Sequence, residues 1–296
     1  APLASISRQY NINFHFYADD TLLYNSATPE NILSLLSETN DCYTEIQNWM
    51  TVSKLKLNGD KTEALLIGTN SKLSSLSVST LQLGQKPIPL SESAKNLGVV
   101  IDNTLSMKMF IAQTCQACYC QLRRISSIRK FLSTEATKTL VTSLILSRLD
   151  YCNSLLSGLP ASSIQRLQRI QNSAARLILK KKKMDHVTPL LHALHWLPIP
   201  QRISFKLSLL SYKCLHMSAP SYLRDQLHLY TPSRTLRSSS DTLSLRIPRT
   251  KHTTIGSRSF SVAGPNAWNS IPLSVRKTTE TSTFKCHLKT HLFMSL

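Results

Sequence analysis

Ile12-Asn13-Phe14-His15-Phe16-Tyr17-Ala18-Asp19-Asp20-Thr21-Leu22-Leu23-Tyr24 is the stretch that sets the reading of this chain. Apolar residues recur at every second position up to Phe16. A short polar step with two acids follows, and then a second apolar run. That pattern predicts a β-hairpin with the acids at its turn. Two adjacent carboxylates on so tight a turn disfavour each other's ionisation unless something positive meets them. A hard divalent cation such as Mg²⁺ takes oxygen ligands and is the natural partner. A solvated Asp-Asp turn is the plainer alternative.

Outward from the hairpin, residues 28–50 read as an amphipathic helix. Thr28 is placed as N-cap, Pro29 suits the first helical position, and Ile32, Leu35, Leu36, Tyr43, Ile46 and Trp49 repeat at helical spacing. Asn58-Gly59 predicts a tight turn with positive φ, and 63–68 a strand. Residues 69–95, rich in Ser and bearing Pro87 and Pro89, read as loops and short hairpin strands. Leu97 to Ile101 reads as a short apolar strand, with Gly98 allowing close backbone approach. From residue 106 the period becomes helical. Helices are expected over 106–131, 133–157 and 161–182, with Ser133 as an N-cap and a break at Gly158 and Pro160. Residues 186–230 look helical with proline breaks, 231–283 are rich in Ser, Thr and Arg, and 284–293 close as a short helix.

The chain has 296 residues, 35 Lys and Arg against 16 Asp and Glu, and a net charge of +19. The excess is not spread evenly. Residues 1–104 hold 7 basic and 10 acidic side chains, and residues 105–296 hold 28 and 6. So basic a block attracts polyanions, most commonly a phosphate backbone, and counterion release makes such binding salt-sensitive. Arg123, Arg124, Arg129 and Lys130 cluster on the first of the three helices, and Arg166, Arg169, Arg176 and Lys180, Lys181, Lys182 and Lys183 load the third. The plain reading of the lysine run is a set of cations complementing a helix C-terminus; a nuclear-localisation run is another. Farther on, Arg234, Arg237, Arg246, Arg249, Lys251 and Arg258 are interspersed with aromatics, which suits single-stranded nucleic acid, and equally a basic linker. No run of about 18 apolar residues is present, so no membrane partner is expected. The 7 cysteines are odd in number and scattered, which points to a reducing, intracellular compartment. Cys115 and Cys118 have metal-like spacing, with His192 and His195 the conceivable partners. Small apolar thiols on a helix are the simpler account.

Tyr17-Ala18-Asp19-Asp20-Thr21 resembles the YADD box, motif C, of LINE-type non-LTR retrotransposon reverse transcriptases. Leu57-Asn58-Gly59-Asp60-Lys61-Thr62-Glu63 is similar to that family's motif D. Asn96-Leu97-Gly98-Val99-Val100-Ile101-Asp102 is similar to the segment around motif E, the primer grip. His195-Trp196-Leu197-Pro198, Ala219-Pro220-Ser221-Tyr222-Leu223, Pro232-Ser233-Arg234 and Trp268-Asn269-Ser270-Ile271-Pro272 resemble the downstream part of such polyproteins.

The resemblance implies an α+β fold. Residues 1–104 would be a partial antiparallel palm, 105–185 a helical thumb, and 186–296 a basic nucleic-acid-binding region. Asp19 and Asp20 would be catalytic metal ligands for Mg²⁺ in the intact parent enzyme, and Lys61 would meet the leaving pyrophosphate. Leu97 and Gly98 would contact the primer. The basic residues named from Arg123 to Lys183 would hold the template–primer duplex. Partners would be an RNA template, a DNA primer and dNTPs. Two-metal chemistry needs carboxylates on separate elements, yet residues 1–18 hold no Asp or Glu, and no Pro-Gln-Gly run of the motif B kind occurs. The expectation is a truncated part of a reverse transcriptase that does not polymerise unaided. A non-catalytic nucleic-acid-binding module and a decayed transposon remnant are the alternatives.

Overall fold

The computed structural model describes residues 2–76, 78–216, 218–231, 243–250 and 255–294. The chain is α+β, mostly helical with small antiparallel hairpins, and divides into two compact units, Ala1–Ser106 and Met107–Leu296.

In the first unit, α1 (Pro2–Gln9) leads into β1 (Asn13–Tyr17) and β2 (Asp20–Tyr24), which pair with Phe14 opposite Leu23 and Tyr17 opposite Asp20. Sequence periodicity did not announce α1; it has only eight residues, and Asn11 at φ +52° turns the chain out of it. A 3₁₀ turn (Pro29–Asn31) opens α2 (Ile32–Val52). Thr28 holds the extended N-cap backbone, but its side chain caps no N–H. α2 buries Cys42 and Ile46 against Ile6 and Ile12, with Leu23, Leu35 and Trp49 around them. Tyr43, on the same helix, packs against Ala64, Leu83 and Ile88. Asn40 accepts the Gly84 N–H at 2.8 Å, pinning the hairpin of β3 (Thr80–Leu83) and β4 (Lys86–Pro89) onto α2.

Three local expectations change. The segment 63–68 is not a strand: Ala64 makes one bridge to Leu90, and Gly68 donates to Asn103. A short helix, α3 (Asn70–Ser74), follows, capped by the Thr69 hydroxyl. At Asn58-Gly59 the turn is present, but Gly59 is not among the positive-φ glycines. Asn58 takes the first corner instead, its side chain accepting from Asp60 and its carbonyl from Lys61. Finally, Leu97 and Gly98 do not begin a strand. They are the two-residue turn between β5 (Ser93–Asn96) and β6 (Val99–Asp102), at φ +46° and +82°. Positive φ at both central positions suits the twist of the flanking strands.

The second unit is helical. α4 (Lys108–Ile128) buries Ile111, Cys115, Cys118, Leu122 and Ile125, an unbroken stripe at alternating steps of four and three. It packs on α5 (Thr134–Val141) and α7 (Ala161–Leu179). Ser133 caps α5 through the Ala136 N–H, as its position predicts. The helix expected over 133–157 is interrupted. A π turn (Thr142–Leu146) leads to α6 (Ser147–Asp150), Cys152 at φ +52° ends it, and a 3₁₀ turn (Asn153–Leu156) follows.

Then come α8 (Thr188–Ala193), α9 (Ile199–Leu215), α10 (Ser221–Arg224), α11 (Phe260–Asn269), α12 (Leu273–Arg276) and α13 (Thr281–Met294). Tyr212, Trp268, Phe284 and Leu288 form the core of this half. The stretches expected as separate thumb and C-terminal regions belong to one compact unit. Gln171 donates to the Leu197 carbonyl, Gln168 accepts from the Ile199 N–H, and Arg202 pairs with Asp150 at 2.6 Å.

Candidate nucleic-acid interface

The hairpin of β1 and β2 places its acids at a tip. Ala18 and Asp19 are the turn, Ala18 at φ +51°, and Asp20 starts β2 opposite Tyr17. Tyr17, Asp19 and Asp20 are all exposed. Mg²⁺ demands near-octahedral oxygen ligation, and among the described residues no group of three His, Cys, Asp or Glu side chains converges. Two carboxylates are fewer oxygen ligands than such an ion takes.

Lys61 is exposed on the turn after α2, its N–H bonded to the Asn58 carbonyl. Its neighbour Asp60 pairs with Lys86 at 2.7 Å, and this lysine holds the Asp60 carboxyl below its ordinary range. Among the described residues Lys61 makes no ion pair with Asp19 or Asp20. The Leu97-Gly98 tip is exposed too, with a leucine in left-handed conformation, a state costing about 1–2 kcal/mol. Behind it, Asp102 is buried and accepts from the N–H and hydroxyl of both Thr104 and Ser106, so the exit from β6 is fixed.

In the second unit the cations fall into three classes. Arg123, Arg124, Lys130, Arg166 and Arg169 are exposed. Arg129 is not: it is buried, and its guanidinium donates to the Leu177, Leu132 and Ile178 carbonyls at 3.0, 2.8 and 2.8 Å. The sequence places it among the nucleic-acid contacts. The fold uses it to satisfy the carbonyls at the end of α7 that lack helical partners. Arg176 is half-buried and donates to the Asp185 carbonyl at 2.9 Å.

The lysine run leaves the helix earlier than its spacing suggests. α7 ends at Leu179, Lys180 turns left-handed at φ +52°, and Lys181 donates back to Arg176, closing a Schellman-type stop. Lys181, Lys182 and Lys183 lie in the following loop, held by Asp185, which accepts the Lys182 N–H. Ser173, Arg176, Leu177, Lys180, Lys181 and Lys183, with Arg129 behind them, line a cleft of about 350 Å³.

Phe131 stands out in the fold and not in the sequence pattern. It is 77% exposed, and the Lys130 ammonium lies 4.8 Å from its ring centre. Its one local signal is the run Arg129-Lys130-Phe131, an aromatic among cations at a helix end.

Other singled-out residues are architectural. Cys115 and Cys118 sit in the buried stripe of α4, and burial pushes the Cys118 thiol up to about 11, away from the thiolate that binds metal. His192 and His195 pack on Phe293. His195 at φ +53° turns the chain between α8 and α9, and the Leu197 carbonyl there accepts from Gln171 and Arg202. Trp268 donates to the Leu243 carbonyl, while Asn269 bonds both the N–H and the carbonyl of Leu245. Arg258 donates to the Ser157 and Leu155 carbonyls. Arg246 and Arg249 are exposed. Pro232-Ser233-Arg234, Arg237 and Lys251 lie outside the described residues. No helix among the described residues is long and apolar enough to cross a membrane.

Comparison of the chain with protein-family models, with curated proteins and with solved structures gives no match.

Proposed function

We propose that the chain is part of a LINE-type non-LTR retrotransposon reverse transcriptase, carrying the motif C to E part of the palm, the thumb and a basic downstream region. In the intact parent, Asp19 and Asp20 hold Mg²⁺ and Lys61 meets the leaving pyrophosphate. Leu97 and Gly98 approach the primer, and Arg123, Arg124, Lys130, Arg166 and Arg169 meet the nucleic-acid backbone. The supporting observation is local: Tyr17-Ala18-Asp19-Asp20 forms the exposed tip of a two-stranded hairpin that packs with a long helix, which leaves both carboxylates accessible. These 296 residues carry only part of the carboxylate set, so by themselves they bind nucleic acid without extending it.

Primer extension on an RNA template with Mg²⁺ and dNTPs, run beside an Asp19→Ala variant, tests this. The expected result is no extension by either protein with RNA binding retained. Template-directed synthesis lost in Asp19→Ala would mean that another carboxylate completes the site. Absence of RNA binding at low salt would refute the nucleic-acid role.

A second reading, a non-catalytic nucleic-acid-binding module, is favoured by the charge step alone: residues 1–104 are net acidic and residues 105–296 carry 28 basic against 6 acidic side chains. Retained RNA binding by an Asp19→Ala, Asp20→Ala double variant, with no Mg²⁺ dependence in either protein, would favour it.

A further inference from the structure

The cations at the end of α7 exceed what the helix needs. A helix C-terminus favours positive charge within its last turn, and Arg129 already occupies the Leu177 and Ile178 carbonyls there. Lys181 and Lys183 lie beyond the helix, yet line the same cleft as Lys180 and Arg176. Among the described residues none of these lysines makes an ion pair. Cations gathered in one concavity repel each other and focus the field outward, which suits a ligand carrying several negative charges.

The Arg129 fork adds a second element. By bonding Leu132 on one side and Leu177 and Ile178 on the other, it ties the turn 129–132 to the end of α7. Phe131, the residue before Leu132, carries its exposed ring on that same turn, two residues from the cleft-lining Arg129. Lys130 lies over that ring at 4.8 Å, a cation–π contact. A basic cleft joined to a turn that bears an exposed ring is a combination that suits unpaired strands, because phosphates meet the cations and a base stacks on the ring. A base within a duplex is already stacked and offers no face to Phe131.

We propose that the end of α7 is a single-strand nucleic-acid site, in which Lys180, Lys181 and Lys183 with Arg176 hold backbone phosphates and Phe131 stacks one base. This rests on the nucleic-acid reading of residues 107–296, and it adds a strand preference and an aromatic contact to that reading.

The test measures fluorescence anisotropy of a labelled ten-nucleotide RNA, single-stranded or annealed to its complement, titrated with the full chain. Phe131→Ala is expected to weaken single-strand binding roughly 5- to 150-fold, the range for loss of one stacked base, and to leave duplex binding unchanged. Phe131→Trp is expected to retain affinity, with its indole emission quenched on binding. Lys181→Gln with Lys183→Gln is expected to reduce the salt slope for the single strand by about 1.4, at about 0.7 per phosphate contact. If the wild-type chain binds neither RNA, this proposal and the nucleic-acid reading both fall. If it binds RNA but Phe131→Ala matches the wild type, or weakens duplex equally, the single-strand site alone is refuted. Competition by poly-glutamate as strong as by unlabelled RNA would make the cleft an acidic-peptide site and overturn the proposal.

Discussion

Replacing Arg129 by lysine separates a structural cation from a nucleic-acid contact. The guanidinium spans three carbonyls at 3.0, 2.8 and 2.8 Å, joining the turn after α4 to the last residues of α7. Lysine keeps the charge but carries its donors on one nitrogen, which cannot reproduce a planar fork. Two of the three bonds are therefore lost, leaving buried carbonyls short of a partner. At about 1.5–3 kcal/mol for each bond from a charged donor, the expected loss is on the order of 3–6 kcal/mol. For a domain of about 150–250 residues each kcal/mol moves Tm by about 2–4 °C, so the melt should fall by roughly 6–24 °C. The assay is thermal unfolding by circular dichroism at neutral pH, with wild type and Arg123→Lys as reference. Arg123 is exposed, and its exchange should shift Tm by no more than about 2 °C, as for a surface change. An Arg129→Lys melt within that margin, accompanied by weaker RNA binding, would refute the structural role and return Arg129 to the nucleic-acid contacts.

Other outcomes follow from the same geometry. Burial raises the Cys118 thiol from an ordinary 9.0 to about 11, so the folded state holds the proton more tightly than the unfolded chain. The associated stability is complete below pH 9 and is lost as pH rises toward 11, a change on the order of 3 kcal/mol. Urea melts across pH 8–11 should show that slope, and Cys118→Ala should flatten it; equal slopes would refute the assignment. Asp102→Ala removes an acceptor used by four donors and should destabilise the first unit by about 2–4 kcal/mol. Hydrogen exchange at Thr104 and Ser106 would report it, and unchanged protection would contradict the lock.

Much of the architecture is written locally. The stripe Ile111, Cys115, Cys118, Leu122, Ile125 is visible as spacing, and spacing fixes which face of a helix is buried. The hairpin around Tyr17 to Asp20 and the Ser133 cap are equally local, because turn and cap chemistry act over a few residues. α1 was illegible because eight residues carry too little periodicity. Leu97-Gly98 reads as a strand because an apolar residue beside a strand resembles one, and only the pairing of Asn96 with Val99 makes it the turn.

The candidate site divides in the same way. The distribution of charge is legible from residue order: a carboxylate pair at a hairpin tip and a strongly basic stretch after residue 104. It could not decide which cations face solvent, since Arg123 and Arg129 read alike along the chain. Folding brings Arg129 to carbonyls 48 and 49 residues away, gathers Arg176, Lys180, Lys181 and Lys183 into one cleft, and leaves Phe131 exposed on the turn that Arg129 ties down. The physical reason is reach. Periodicity and capping are set by neighbours within a few turns, whereas the partner of a long cationic side chain is whichever unsatisfied carbonyl folding brings to it.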